Sequence, residues 1–485
     1  MNGDFPPDTL RAWGGAAVER LARYFETIES RPVLARTKPG ELLAQFPPNA
    51  PEEPEPWEAI ERDLDLLVEP NLTHWQHPGF MAYFATNGSV PGIVGETLAA
   101  GYNQVGILWR TSPASNEMEQ AMVRWLANFV GLPAEFDGQL ADTASAASLI
   151  ALAAAREQAF PDVRKTGLSG LPPAVVYCSE LAHSSIDKAC VVLGLGISGL
   201  RKIPTDAQHR MDLTALESAI AADRAAGRRP IAVVATAGTT AVTSVDPLPG
   251  IAALCRREGL WMHVDAAYAG AAASLPEKRP LFAGWEEADS IVWNPHKWLF
   301  LPLECTGLFF RKMERVRKAF SVVPTYLETP EGSAGVREYM DYGIQLGRRF
   351  RALKAWIMLR TFGARGLRER LRSHIDLAER LEADLRGERD VEILAPVLFS
   401  VVVFRFAPAT LSEPERDVLN QRVLEAVNRE GRFFISHGVV KGRYAIHAAI
   451  GSLRTEERHV VALLETLRSA RAAAETAETA KAPGT

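Results

Sequence analysis

The stretch Trp293-Asn-Pro-His-Lys-Trp-Leu-Phe300 places a lysine inside an apolar run. A lysine is rarely buried without a partner or a purpose. In an apolar pocket its amine loses its proton more readily and becomes a nucleophile for carbonyls. Taken alone, Lys297 also reads as an exposed loop lysine, which fits poorly with Trp298, Leu299 and Phe300 beside it. The preceding apolar run, "WMHVDAAYAG", reaches Asp265, and a carboxylate there needs a cationic or donor partner. Alone, Asp265 reads as a satisfied structural aspartate. Two successive strand ends, one with a buried acid and one with a buried amine, together make a site.

Those two groups suit pyridoxal phosphate, an aldehyde cofactor that needs a Schiff-base lysine, an acid for its pyridine nitrogen and a phosphate cradle. The helix predicted from "DTASAASLIALAAAR" offers Thr143, Ala144 and Ser145 in its first turn. Free amides and hydroxyls at a helix N-terminus bind phosphate, although the same residues also make an ordinary N-cap. Two further motifs carry less. "GLGISG", Gly194 to Gly199, matches GxGxxG, but a helical pattern precedes it and a strand-like one follows. The dinucleotide fingerprint needs the reverse order, so this is read as a glycine-rich turn. His263 and Asp265 form HxD on one strand face without a third ligand at a recognisable spacing, so no metal is expected.

These residues must be positioned by a frame. Residues 1–90 read as helices joined by the proline-rich "FPPNAPEEPEPW", with Val18, Leu21, Ala22 and Phe25 at helical spacing. From 91 to 365 short apolar runs alternate with helical patterns: "AVVYCS", "PIAVVATAG", "LWMHVDAAYA", "DSIVWNP" and "TGLFFRK". Such runs predict buried strands of a largely parallel sheet, with ligands beyond the strands' carboxyl ends. Residues 366–470 read as a small α/β domain. It opens on a helix with Leu367, Leu371, Ile375, Ala378, Leu381 and Leu385 on one face, then "PVLFSVVVFRF" and later strands near "RFFISHGVV" and "RYAIHAAI". The tail 471–485 is expected to be flexible.

With these residues assembled, the chain resembles the group II pyridoxal-phosphate amino-acid decarboxylases, within them the aromatic L-amino-acid decarboxylase branch. "SPASNEME", "AHSS", "HVDAAYAG", "NPHKW" and "LGRRFRALKAW" match in order along almost the whole chain. The resemblance implies an α/β fold, pyridoxal-phosphate-dependent transferase-like (aspartate aminotransferase type). It would have a mostly parallel seven-stranded sheet in the large domain, a small C-terminal α/β domain and a helical N-terminal dimerisation segment. It implies that Lys297 forms the Schiff base, Asp265 pairs with the pyridine nitrogen and His183 stacks on the ring. Ala144, Ser145, Asn294 and His296 would hold the phosphate, and Thr240 would lie beside the cofactor. Tyr326 would return a proton after CO2 loss, where relatives with phenylalanine tend to make aldehydes with oxygen. The substrate pocket would be lined by Trp75, Tyr83, Phe84, Ala85, Thr86, Val105 and Ile107. Departures are Asp142 beside the phosphate site, Ala85 where relatives have proline, and Ile107 where they have an aromatic residue. The implied activity is decarboxylation of an L-amino acid to an amine, with an aromatic substrate (tryptophan, phenylalanine or tyrosine type) implied by this resemblance. An aldehyde synthase, a branched-aliphatic decarboxylase and a non-catalytic pyridoxal-phosphate-binding protein stay open. The relatives are homodimers with shared active sites.

The bulk properties agree with a globular enzyme. The 485 residues exceed one ordinary core, 47% are hydrophobic, and the formal net charge of −5 points to no nucleic-acid or membrane partner. Cys178, Cys190, Cys255 and Cys305 form no CxxC pair, and "MNGDFPPDTLRAWGG" lacks a basic region followed by an apolar core. A reducing, cytoplasmic setting is expected.

Overall fold

The computed structural model describes residues 3–322, 329–333 and 335–479. The chain opens with a helix over Pro7–Thr27 that buries none of its residues. After a short helix and the proline-rich connector comes β1 (Phe80–Met81). The large sheet holds β2 (Asp137–Ala141), β3 (Ala174–Ser179), β4 (Leu200–Ile203), β5 (Arg229–Thr236), β6 (Trp261–Asp265), β7 (Ser290–Trp293) and β8 (Thr306–Phe310). Their spatial order is β2-β8-β7-β6-β5-β3-β4. Only β8 runs antiparallel to its neighbours in that sheet. The central strands are buried on both faces, which is why they read as unbroken apolar runs.

The edge strand β2 was not among the apolar runs. Its Asp137 is paired with Arg337 (Nη1 to Oδ1 2.9 Å), and Gln139 Nε2 donates to the Tyr342 carbonyl (2.7 Å). Between them, a Cβ on Gly138 would sit 2.1 Å from the Leu308 carbonyl oxygen, so glycine alone permits this approach to β8. The strand is specified by partners far along the chain rather than by its own hydrophobicity.

Parallel register brings the functional ends together. Thr236 of β5 lies opposite Asp265 of β6, and Asp265 lies opposite Val292 of β7. The carboxyl ends of three adjacent strands therefore open on one edge, the position where open α/β sheets bind ligands.

The smaller sheet contains β9 (Val391–Ile393), β10 (Val401–Phe406), β11 (Phe434–Val440) and β12 (Arg443–Ala449), in the order β1-β11-β12-β10-β9. The segment 1–90, read as helical, thus also supplies a strand: Phe80 and Met81 pair in parallel with Phe434 and Ile435. The helix Arg351–Arg386 bends at Gly363, whose φ of 64° is a left-handed conformation that glycine adopts readily. Beyond the bend, Leu367, Leu371, Ile375, Ala378, Leu381 and Leu385 are all buried, as their spacing predicts. Part of the segment read as a flexible tail is helical. A helix runs over Glu457–Thr479, because Ala470 and Ala474, one turn apart, pack into the small domain's core and Arg471 Nε bonds Glu475 (2.7 Å). Residues 480–485 lie outside the described residues.

Candidate active site

β7 ends at Trp293, and Pro295 opens a single helical turn, Pro295–Trp298, that carries Lys297 to the sheet edge. The small residues after Asp265 allow this. A Cβ on Gly270 would lie 2.4 Å from Trp293 Cβ, so only glycine lets this segment pack on β7. Below the lysine stands a column of rings. Trp298 stacks on Tyr268 at 4.9 Å, and Tyr268 stacks on Phe84 at 3.9 Å. Polar edges of the column are satisfied: Tyr268 bonds Ser400, and Trp298 Nε1 donates to His374 Nδ1 (3.0 Å). The Lys297 ammonium lies 5.1 Å above the centre of the Phe84 ring. Burial pushes the Lys297 pKa below its ordinary value, and the negative charge of Asp265 opposes that shift.

Asp265 is buried at the end of β6. Its Oδ1 accepts from the Ala267 N–H (3.0 Å), and Oδ2 has no protein donor among the described residues. Near it, His183 accepts the Ser185 N–H on Nδ1 (3.1 Å), so a neutral ring carries its proton on Nε2. Desolvation lowers the His183 pKa, the Asp265 charge raises it and Lys297 lowers it further.

The helix Ala144–Ala159 begins at Thr143, whose hydroxyl accepts from the Ala146 N–H (3.4 Å). The N–H groups of Ala144 and Ser145 find no acceptor among the described residues and remain available to an anion. Asn294 is tied to this turn. The Thr306 hydroxyl lies 3.0 Å from both Asn294 Oδ1 and the Asp142 carbonyl. His296 accepts the Cys305 N–H on Nδ1 (3.0 Å), and burial pushes its pKa down to about 3, so it is neutral with a proton on Nε2. Asp142 is engaged elsewhere: Oδ2 accepts from Gln345 Nε2 (2.9 Å) and Oδ1 from the Thr143 N–H (3.0 Å). Gln345 stands far along the chain, so no local signal announced it.

Thr240 is exposed on a turn braced by its neighbours. Gly238 N–H and Thr239 N–H both donate to the Ser244 carbonyl (2.9 and 3.0 Å). At the base, the buried Asp246 carboxylate accepts from Thr236 N–H (2.8 Å) and Met211 N–H (2.7 Å), and burial raises its pKa to about 6. Asp246 was not singled out in the sequence. His263 stays a core residue, between Ser148 Oγ (3.1 Å) and Ser290 Oγ (2.8 Å).

Of the pocket candidates, Phe84 adjoins Lys297, and Trp75 stacks on Phe80 at 4.3 Å and faces Tyr83 at 6.4 Å. Ala85 is buried and Thr86 half-buried in the same turn. Val105 and Ile107 belong to another framework. The Gly106 N–H between them donates to the Arg348 carbonyl (2.8 Å), and Arg348 pairs with Glu119. No hydrogen bond or ring contact among the described residues joins Val105 or Ile107 to Lys297, Asp265 or Phe84. Tyr326 lies outside the described residues.

A lysine amine with lowered proton affinity, a buried aspartate with one oxygen lacking a donor among the described residues, and two helix-terminal amides lacking an acceptor among them fit an aldehyde, a pyridine nitrogen and a phosphate. On this sheet edge they define a pyridoxal-phosphate enzyme. The comparisons with known proteins narrow the class. Residues 39–407 match the "Pyridoxal-dependent decarboxylase conserved domain", and the chain belongs to that family of carboxy-lyases. It is 38% identical over 462 residues to phenylacetaldehyde synthase of Arabidopsis thaliana, covering 93% of this chain and 94% of that one. It is likewise 38% identical over 486 residues to tyrosine decarboxylase 4 of Petroselinum crispum, covering 96% and 95%. The crystal structure of Oryza sativa TDC with PLP and tryptamine superposes with a TM-score of 0.95 at 35% identity, covering 98% of this chain and 99% of that one.

Proposed function

We propose that the protein removes CO2 from an aromatic L-amino acid to give the corresponding amine. The observation that carries this is the Lys297 amine seated over Phe84, at the edge shared with Asp265. The cofactor supplies an aldehyde that takes up amines and a ring that accepts an electron pair. The chain's residues do the rest. Lys297 would hold the cofactor through its amine, the nucleophile the site offers to an aldehyde. Asp265 keeps the pyridine nitrogen protonated, which stabilises charge developing on the ring. Neutral His183 covers the ring face and offers Nε2–H. The amides of Ala144 and Ser145, with Asn294 and His296, hold the phosphate, and Thr240 closes one side. Trp75, Tyr83, Phe84, Ala85 and Thr86 would bind the substrate side chain and fix its orientation. Tyr326 returns the proton to the substrate's α-carbon.

A homodimer completes the pocket in this reading. Val90, Val94, Leu98 and Tyr102 recur every fourth residue along the helix Val90–Tyr102, and all are exposed. This apolar stripe, and separately the unburied helix Pro7–Thr27, suit a second copy. Val105 and Ile107 continue from that face, so they would line the partner's pocket. Among the described residues no helix is long and apolar enough to cross a membrane. Four buried free thiols suit a reducing cytoplasm.

The relatives include both decarboxylases and an aldehyde synthase, so product analysis is the test. Aromatic L-amino acids should yield equal amine and CO2 without oxygen uptake. Aldehyde with hydrogen peroxide from the wild type would overturn the assignment to simple decarboxylation.

A further inference from the structure

One wall of the pocket is built by one part of the chain and held by another. Tyr83 has φ +53°, a left-handed conformation in which a non-glycine residue needs support from its surroundings. That support comes from the small sheet. The Tyr83 N–H donates to Ser436 Oγ (3.1 Å) on β11, and Ser436 Oγ lies 3.3 Å from Nδ1 of His447, its cross-strand partner on β12. Ser436 Oγ thus bridges the Tyr83 backbone and the His447 ring, with one lone pair taken by Tyr83 N–H.

His447 reaches two walls at once. Its ring stands edge-on to Phe84, with centroids 6.2 Å apart and planes at 73°. Its buried Nε2 makes no hydrogen bond of ordinary geometry among the described residues, but the Thr240 backbone stands near enough to favour the protonated ring against the burial that lowers its pKa. An incompletely paired buried imidazole is a standing cost that an apolar filler would avoid. The segment carrying Tyr83 and Phe84 is also held at Asn87, whose Oδ1 accepts from the Leu453 N–H (2.8 Å). A Cβ on Gly451 would press on Ala85 Cβ at 3.2 Å.

We infer that Ser436 and His447 are positioning residues that set substrate specificity from the small domain, by fixing Tyr83 and Phe84 against the cofactor face and the Thr240 turn. This rests on the reading that Tyr83 and Phe84 line the substrate pocket. The pair touches neither Lys297 nor Asp265 in any contact described, so its loss should leave cofactor binding intact.

The test uses holoenzyme of wild type, Ser436→Ala, Ser436→Thr and His447→Gln. CO2 release is measured with L-tryptophan, L-tyrosine, L-phenylalanine and L-leucine, alongside the visible cofactor band and Tm. Ser436→Ala deletes only a hydroxyl and keeps the test open should His447→Gln fail to fold. In Ser436→Ala the ratio of kcat/KM between the bicyclic and monocyclic substrates should change about fivefold, mainly through KM, about what one hydrogen bond supports. The cofactor band should not move, and Ser436→Thr should return the ratio toward wild type. A lowered Tm with every substrate affected equally, or no change in ratio, would overturn the inference while leaving the decarboxylase reading standing. A wild type preferring L-leucine would instead refute the aromatic reading, and the ratio would then be taken across the substrates it accepts. A wild type releasing CO2 from none would sink both.

Discussion

Replacing Glu119 by glutamine keeps its shape and removes its charge. Glu119 and Arg348 are both buried, with Nη1–Oε2 at 3.0 Å and Nη2–Oε1 at 2.6 Å. The pair also satisfies Leu140 of β2, whose N–H donates to Glu119 Oε1 (2.8 Å) and whose carbonyl accepts from Arg348 Nη2 (2.8 Å). The Arg348 guanidinium lies 4.6 Å from the centre of the Tyr339 ring, and its carbonyl holds the Gly106 N–H. Neutralising one member strands a buried charge, which costs about 3–5 kcal/mol. At about 2 °C per kcal/mol, the lower end of the scale for large domains, Tm should fall by roughly 6–10 °C. Differential scanning fluorimetry with saturating cofactor measures this. Replacing both partners, as Glu119→Leu with Arg348→Met, removes the stranded charge. It leaves two backbone groups of Leu140 to re-pair, at about 1–3 kcal/mol each. The double variant should therefore be more stable than the sum of the single changes predicts, with coupling of at least about 1 kcal/mol. A Tm within about 2 °C of wild type for Glu119→Gln, as expected for a solvated pair, would refute the reasoning.

Acid should destabilise the protein from below about pH 6.5. Burial lowers the pKa of His77, His263, His374 and His447 from 6.5 to about 4, and that of His296 to about 3. A base with a depressed folded pKa binds protons preferentially when unfolded, so stability falls as pH drops from 6.5 toward those values. One unit below 6.5 each such histidine removes about 1.4 kcal/mol. Asp246, raised from 3.8 to about 6, and Asp289, also raised by burial, act in the opposite sense but are two groups against five histidines. Urea midpoints at pH 7.5 and 5.5 should drop on acidification; a rise would contradict these assignments. Gly270→Ala should push the segment after Asp265 away from Trp293, at about 1–3 kcal/mol, and weaken cofactor retention. Unchanged retention on gel filtration would show that this packing does not position Lys297.

The central strands, and the placing of Asp265 and Lys297 near their carboxyl ends, were legible because both rest on local pattern. Apolar runs named β3, β5, β6, β7 and β8, and a charged residue at such a run's end stood out against it. Features made by partners distant in sequence were not legible. Phe80 and Met81 become a strand only through Phe434 and Ile435, and β2 is fixed by Arg337, Tyr342 and the closeness of Leu308. The same holds within the site. Nothing near Asp142 announces Gln345, and nothing near Tyr83 announces Ser436. The alanine-rich end of the final helix looked frayed because its stabilising surface belongs to the small domain's core.

The central proposal is that Lys297 would hold the cofactor and that CO2 release from an aromatic L-amino acid depends on its amine. Lys297→Ala, incubated with pyridoxal phosphate, should lack the visible band of lysine-bound cofactor and release no CO2 from any aromatic L-amino acid above background. Wild type under the same conditions should do both. A variant that kept the lysine-bound band, or that released CO2 at the wild-type rate, would contradict the account.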